Sequence, residues 1–231
     1  LSHRVLSVAY NTAVRHGDLP RNPVLHAKKP RVQSVETKPI PRKDFIKIYQ
    51  EAMKDPYMHA RIEIGGMVGP RPGEALGLKW SDIDWDAQIL TLERQVQREP
   101  GKGLVFQTVK QNEVRSVLLS EEQIRILLTH KRHQALNKAN WTEDDDLVFP
   151  NMKGHKCDEK RDRKMFKDLL VQAWVGEYQL YQLRKTAYSN MASVTDMRTL
   201  KDFSGHAQVS TLMKRYVYSN SEAMTRAVSE M

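Results

Sequence analysis

Cysteine is almost missing from this chain of 231 residues: the single Cys157 excludes an intramolecular disulfide and suits a reducing compartment. Long apolar runs are missing too. No stretch approaches the roughly 20 apolar residues that a bilayer crossing requires, and the mean hydropathy is −0.62, so no membrane span is expected. No charged-then-apolar leader precedes a small-residue cleavage site. The chain starts at Leu1, which gives the expectation of a fragment of a longer protein. The phosphate-binding G-x-x-x-x-G-K-[ST] loop, a G-x-G-x-x-G turn after a strand and a G-x-S-x-G elbow are all absent. His155 and Cys157 are too few for a tetrahedral zinc site, and His130 with His133 reads as a pair on one helix face. No acidic cluster suggests a two-metal nuclease. The expectation is therefore no metal and no cofactor.

Acidic residues are in deficit, 28 against 37 Lys and Arg, a net charge of +9 that points to a polyanionic partner. The excess is uneven. Residues 1–43 carry a net +7, and the other 188 residues only +2. A basic lead-in on a near-neutral body suits an arm on a phosphate backbone, although a solubilising linker has the same composition.

Residues 2–16 place Val5, Val8, Ala9, Thr12 and Ala13 at helical spacing, with Gly17 ending the helix. Half of the ten prolines then fall within 19–41, where missing donors block regular structure and mark a boundary. The expected division is 1–29, the end of a helical domain; 30–41, a basic proline-rich linker; and 42–231, one larger domain. Residues 42–54 and 57–68 read as helices, with Phe45, Ile46, Tyr49, Ile62, Ile64 and Met67 as apolar faces. A turn at Gly69-Pro70 leads to a helix opened by Pro72. Residues 88–97, 104–109 and 114–119 are β-prone, separated by hairpin-like connections at 100–103 and 110–113. Ser120 to Gln123 has capping-box spacing and opens a helix to about Lys138. Residues 144–146 form an acidic loop, and helices are expected at 160–174, 181–192, 197–203, 209–215 and 221–230. The fold class is mainly α with a small three-stranded antiparallel β-sheet.

Four features stand out, each with an ordinary structural reading when taken singly. Arg71 lies in a Pro/Gly turn at the mouth of a helix, with Glu74 placed to brace it. Lys110 sits between two strands, Arg184 lies on an otherwise apolar helix face, and Gly205-His206 precedes Tyr216 by ten residues. Taken in order, GPRPGEALGLKWSDID (69–84), TVKQNEVRSV (108–117), YQLRKTAYSNMA (181–192) and SGHAQVSTLMKRYVY (204–218) resemble the catalytic domain of the tyrosine recombinase (phage integrase) family over about 42–220. RNPVLHAKKP (21–30) and the helix before it resemble the end of that family's core DNA-binding domain.

The resemblance implies a site-specific recombinase that cuts DNA without metal or ATP, through a 3′-phosphotyrosyl intermediate. It assigns Arg71 and Arg184 to the scissile phosphate, Lys110 to the general acid, His206 to phosphate contact and Tyr216 to the nucleophile. Arginine suits this chemistry because its planar fork binds two phosphate oxygens and stays charged. The family's second block usually reads His-x-x-Arg; here it is Tyr181-Gln182-Leu183-Arg184, with Lys185 where a histidine commonly follows. Tyr181 can donate a hydrogen bond but cannot shuttle protons near neutral pH, so slower cleavage is expected. Tyr218 replaces a non-catalytic histidine in the last block. The resemblance further implies double-stranded DNA attachment sites as partners, with Lys28, Lys29, Arg31, Lys38, Arg42 and Lys43 along the backbone. It also implies a homotetramer on two DNA sites joined by exchange of C-terminal segments (here 221–231), and bacterial cytoplasm near the nucleoid. Phage or mobile-element integration, assisted by a directionality factor or host DNA-bending protein, is the leading expectation. A chromosome-dimer-resolving recombinase and a catalytically impaired DNA-binding relative are the alternatives.

Overall fold

A computed structural model describes residues 2–27, 37–109, 114–143 and 145–192. The expected helices at 197–203, 209–215 and 221–230 lie outside these residues. The chain divides into two compact units, 1–36 and 37–231.

The first unit contains α1 (Ser2–His16) and a 3₁₀ turn (Pro23–His26). Gly17 ends α1 at φ 81°, a left-handed conformation open to glycine at no steric cost. Buried Asn22 fastens the turn to the helix: its Nδ2 donates to Asn11 Oδ1 (2.7 Å) and Ser7 O (3.1 Å), and its Oδ1 accepts from Val24 N.

The second unit begins with α2 (Arg42–Ala52) and α3 (Pro56–Glu63). Phe45, Ile48 and Ala52 form the buried stripe of α2, spaced by three and four residues, whereas Ile46 lies off it and is exposed. The expected helix over 57–68 is α-helical only to Glu63; Ile64–Val68 is a π-helical turn. Its wider winding changes the phase of the side chains, and Met67, expected on the apolar face, is turned towards solvent.

Gly69 closes that turn at φ 70°, and α4 (Pro72–Leu76) follows. The strands are β1 (Ile83–Asp84), β2 (Ile89–Leu92), β3 (Arg94–Glu99), β4 (Gly103–Thr108) and β5 (Arg115–Leu118). A three-stranded antiparallel sheet is present, in the order β1-β2-β5, beside a separate β3-β4 hairpin. The run 88–97 thus supplies two strands, not one. The chain changes sheet at Glu93, whose carbonyl accepts the N–H of Val109 (3.0 Å). The connection from β4 to β5 joins two sheets and is no hairpin, because β5 pairs with β2 from Ile89↔Leu118 to Leu92↔Arg115.

α5 (Glu121–Asn137) opens with the expected capping box: Ser120 Oγ accepts from Gln123 N, and Gln123 Oε1 from Ser120 N. α6 (Glu159–Gln172) and α7 (Leu180–Ala192) complete the described helices. One apolar core joins α3, the strands and α5 around Leu78, Leu90, Leu92, Leu127 and Phe149; a second joins α2, α6 and α7 around Ile48, Ile62, Phe166 and Leu183. The segment after α4 explains itself in these terms. Leu78, Trp80 and Ile83 are core, Trp80 Nε1 donates to Gln134, and Asp82 receives both Lys79 N and the guanidinium of Arg94.

Candidate active site

Two features bring α7 against the turn before α4. The first is a seam of glycines: a Cβ at Gly65 would stand 2.8 Å from Leu183 Cδ1, and one at Gly69 would stand 3.0 Å from Ala187 Cβ. No larger residue leaves α7 this close to the π-helical turn. The second is a strap formed by residues 37–40. Ile40 N donates to Thr186 Oγ1 (2.9 Å), Gln182 Nε2 donates to Lys38 O (3.0 Å), and Lys185 Nζ donates to Thr37 O. Lys185, which stands where the resemblance expects histidine, is buried and holds the strap.

This packing places Arg184, 1% exposed, over the α4 turn. Its Nη1 donates to Gly69 O (2.7 Å), its guanidinium stacks 4.6 Å from the Tyr188 ring centroid, and Tyr188 Oη donates to the same carbonyl. Arg71 occupies the position before α4. Glu74 reaches back from the first turn: its Oε2 accepts Arg71 N (2.8 Å) and its Oε1 accepts Arg71 Nη1 (2.6 Å). The brace expected from sequence is present. Glu74 is also the meeting point of two more arginines. Arg115 Nη2, from β5, donates to Oε2 at 2.8 Å, and Arg184 Nη1 stands 3.8 Å from the same oxygen.

Burial would raise the pKa of this fully covered carboxyl. The Arg115 hydrogen bond, the charges of Arg115 and Arg184 and the N–H of Arg71 override it and bring the pKa down to about 2. Glu74 is therefore an anion at any physiological pH. Three guanidiniums around one carboxylate leave a net positive site suited to an anion. Of the three, Arg71 has the most open side chain, 35% exposed.

Arg71, Glu74 and Arg184 are thus brought together. Tyr181, one turn before Arg184 on α7, is half-buried and lines, with Pro72, a groove of about 840 Å³ between α6 and α7. Lys38, Arg42 and Lys43 are exposed at the strap and the start of α2. Lys110, His206 and Tyr216 lie outside the described residues, as do Lys28, Lys29 and Arg31. Sequence reasoning passed over Arg115, Tyr188 and the strap-holding role of Lys185. An arginine among the alternating apolar residues of 114–119 was the available signal for the first.

Among the described residues no three His, Cys, Asp or Glu side chains group as metal ligands, and no helix is long and apolar enough to cross a membrane. His130 is a core residue bonded to Val148 O at 2.7 Å, His155 pairs with Glu143, and Cys157 is buried.

Comparison with known proteins decides what this arrangement belongs to. Residues 39–223 match the phage integrase family. The chain belongs to that family. An integrase of Saccharopolyspora erythraea is 25% identical to this integrase-family chain over 274 residues, covering 94% of the chain and 62% of the relative. A XerC-like tyrosine recombinase of Caldanaerobacter subterraneus subsp. tengcongensis is 26% identical over 249 residues, covering 98% and 63%. The chain therefore spans less than two thirds of these curated relatives. Among solved structures, the Tn1549 transposon integrase in complex with a circular intermediate DNA superposes with a TM-score of 0.78 at 16% identity, covering 98% of this chain and 78% of that one. XerA recombinase gives 0.67 at 19%, covering 99% and 74%. A lambda integrase tetramer bound to a Holliday junction gives 0.60 at 16%, covering 90% and 57%. These neighbours establish the tyrosine recombinase catalytic fold for the helix-rich second unit.

Proposed function

We propose that the chain is the cleaving part of a site-specific DNA recombinase, an enzyme that integrates phage or mobile-element DNA. The observation that carries the reading is the convergence of Arg71, Arg184 and Arg115 on ionised Glu74 within a family whose members recombine DNA. Arg71 and Arg184 hold the non-bridging oxygens, where charge builds as phosphorus becomes five-coordinate. Tyr216 Oη attacks phosphorus, and the bond to the 5′ oxygen breaks as the 3′-phosphotyrosyl bond forms. Lys110 delivers a proton to the leaving oxygen, and His206 contacts the phosphate and assists the tyrosine. Tyr181 donates a hydrogen bond to phosphate. The 5′-hydroxyl of a second strand then attacks the phosphotyrosine and restores a phosphodiester, with no net change in bond type and no ATP. Residues 1–29 belong to a core DNA-binding domain, 30–41 form the linker and 42–231 the catalytic domain, and the chain binds duplex attachment sites. The working assembly is a homotetramer on two sites, exchanging residues 221–231.

Covalent trapping on a nicked duplex, in the presence of a chelator, tests this reading with wild type, Tyr216→Phe and Tyr218→Phe. The expected result is a DNA-linked band lost only in Tyr216→Phe. Loss in Tyr218→Phe instead would shift the nucleophile by two residues. No band on a duplex that the protein binds would favour a DNA-binding relative impaired in cleavage, of which Tyr181 in place of histidine would be the mark.

A further inference from the structure

We propose that Arg115 is a positioning residue of the cleavage site, holding one oxygen of Glu74 so that the other is fixed on Arg71; this rests on the recombinase reading above. Arg115 opens β5, where its backbone pairs with Leu92 of β2, and its side chain is 3% exposed. Nη2 spends its hydrogen bond on Glu74 Oε2 at 2.8 Å, while Oε1 takes Arg71 Nη1 at 2.6 Å. The carboxylate is thereby held from two elements: Arg71 N and Nη1 before α4, and Arg115 on β5. A carboxylate gripped at both oxygens cannot rotate, and the guanidinium braced on it cannot swing.

A purely structural role accounts poorly for this residue. Arg115 Nε and Nη1 are buried and meet no hydrogen-bond partner among the described residues. A buried ion pair with unmet donors is commonly no more stable than an apolar pair of the same volume. What the arginine supplies that an apolar side chain cannot is a directed cation behind Glu74. It also ties β5 to the turn before α4, so the strand and the arginine cluster share one framework.

The groups facing Glu74 are Arg71 before its own helix, Arg115 from β5, and Arg184 and Tyr188 from α7. Removing Arg115 leaves Glu74 buried with weaker support for its charge, so its protonation moves up in pH. A protonated Glu74 no longer braces Arg71. The experiment measures covalent-complex formation on the nicked duplex from roughly pH 5 to pH 9, with DNA affinity and thermal stability recorded in parallel. The proteins are wild type, Arg115→Met, Arg115→Gln, Arg115→Lys and the double variant Arg115→Met with Glu74→Gln. The expected result is cleavage slowed by about 10²-fold in the Met and Gln variants, as a misplaced positioning group costs, with DNA affinity within about threefold of wild type. The slowing deepens as pH falls. The Lys variant recovers most of the rate, and the double variant, though slowed, returns to the wild-type pH profile because nothing at position 74 titrates.

A Met or Gln variant that folds, binds DNA and follows the wild-type pH profile, slowed or not, overturns the proposal while the wild-type band leaves the recombinase reading intact. If Met fails to fold, the Gln variant decides alone. Absence of a covalent complex in wild type itself removes the recombinase reading and this proposal with it.

Discussion

At the scale of single residues, a carboxylate sets the character of the site. Glu74 has its pKa lowered from 4.5 to about 2, so it binds protons less readily folded than unfolded. Its contribution to stability is fully present above the unfolded value and is lost as pH falls towards the folded one. The stability gap between wild type and Glu74→Gln, measured by urea unfolding, should narrow by about 2 kcal/mol between about pH 6 and about pH 3. A gap independent of pH would mean that Glu74 is not held as an anion. Arg71 and Glu74 were legible in the sequence because they are three residues apart at a helix mouth marked by Pro and Gly. Arg115 was not, because its partner is 41 residues away and only the return of β5 onto β2 brings it near. Tyr188 was hidden for a similar reason: its hydrogen bond to Gly69 spans 119 residues.

Among the elements, the helices were read more easily than the strands. The capping box of α5 and the apolar stripe of α2 are local patterns, and local patterns survive in sequence. The division of 88–97 between two sheets is decided by which distant strand each half meets, at Glu93, and no spacing announces it. The π-helical turn was likewise invisible, although Gly65, Gly66 and Gly69 mark where α2 and α7 press close. α7 depends on the strap as well as on this seam. In Thr186→Val the buried N–H of Ile40 loses its acceptor, a cost of about 1–3 kcal/mol. Hydrogen exchange at the Ile40 amide should then speed up by roughly tenfold or more, whereas Thr186→Ser should keep it slow. An unchanged Ile40 amide in Thr186→Val would show that the strap is held by its other bonds.

For the whole molecule, charge and site answer to different conditions. The net charge of +9, concentrated in residues 1–43, acts through screened, exposed groups such as Lys38, Arg42 and Lys43. On the recombinase reading proposed above, DNA affinity should fall steeply with salt, by about 10³-fold or more between roughly 50 and 200 mM if six or more phosphates are neutralised. The arginine cluster is another matter, since its counter-ion is built in. Three like charges are gathered around Glu74 during folding, before any DNA arrives, so the repulsion among them is already met when a phosphate enters. The site is preorganised, and with Arg115 and Arg184 buried, bulk ions reach little of it. Once DNA is saturated with protein, the single-turnover cleavage rate should stay nearly flat over the same salt range. Salt would then govern how often this protein meets its DNA and leave almost untouched how fast it cuts what it holds.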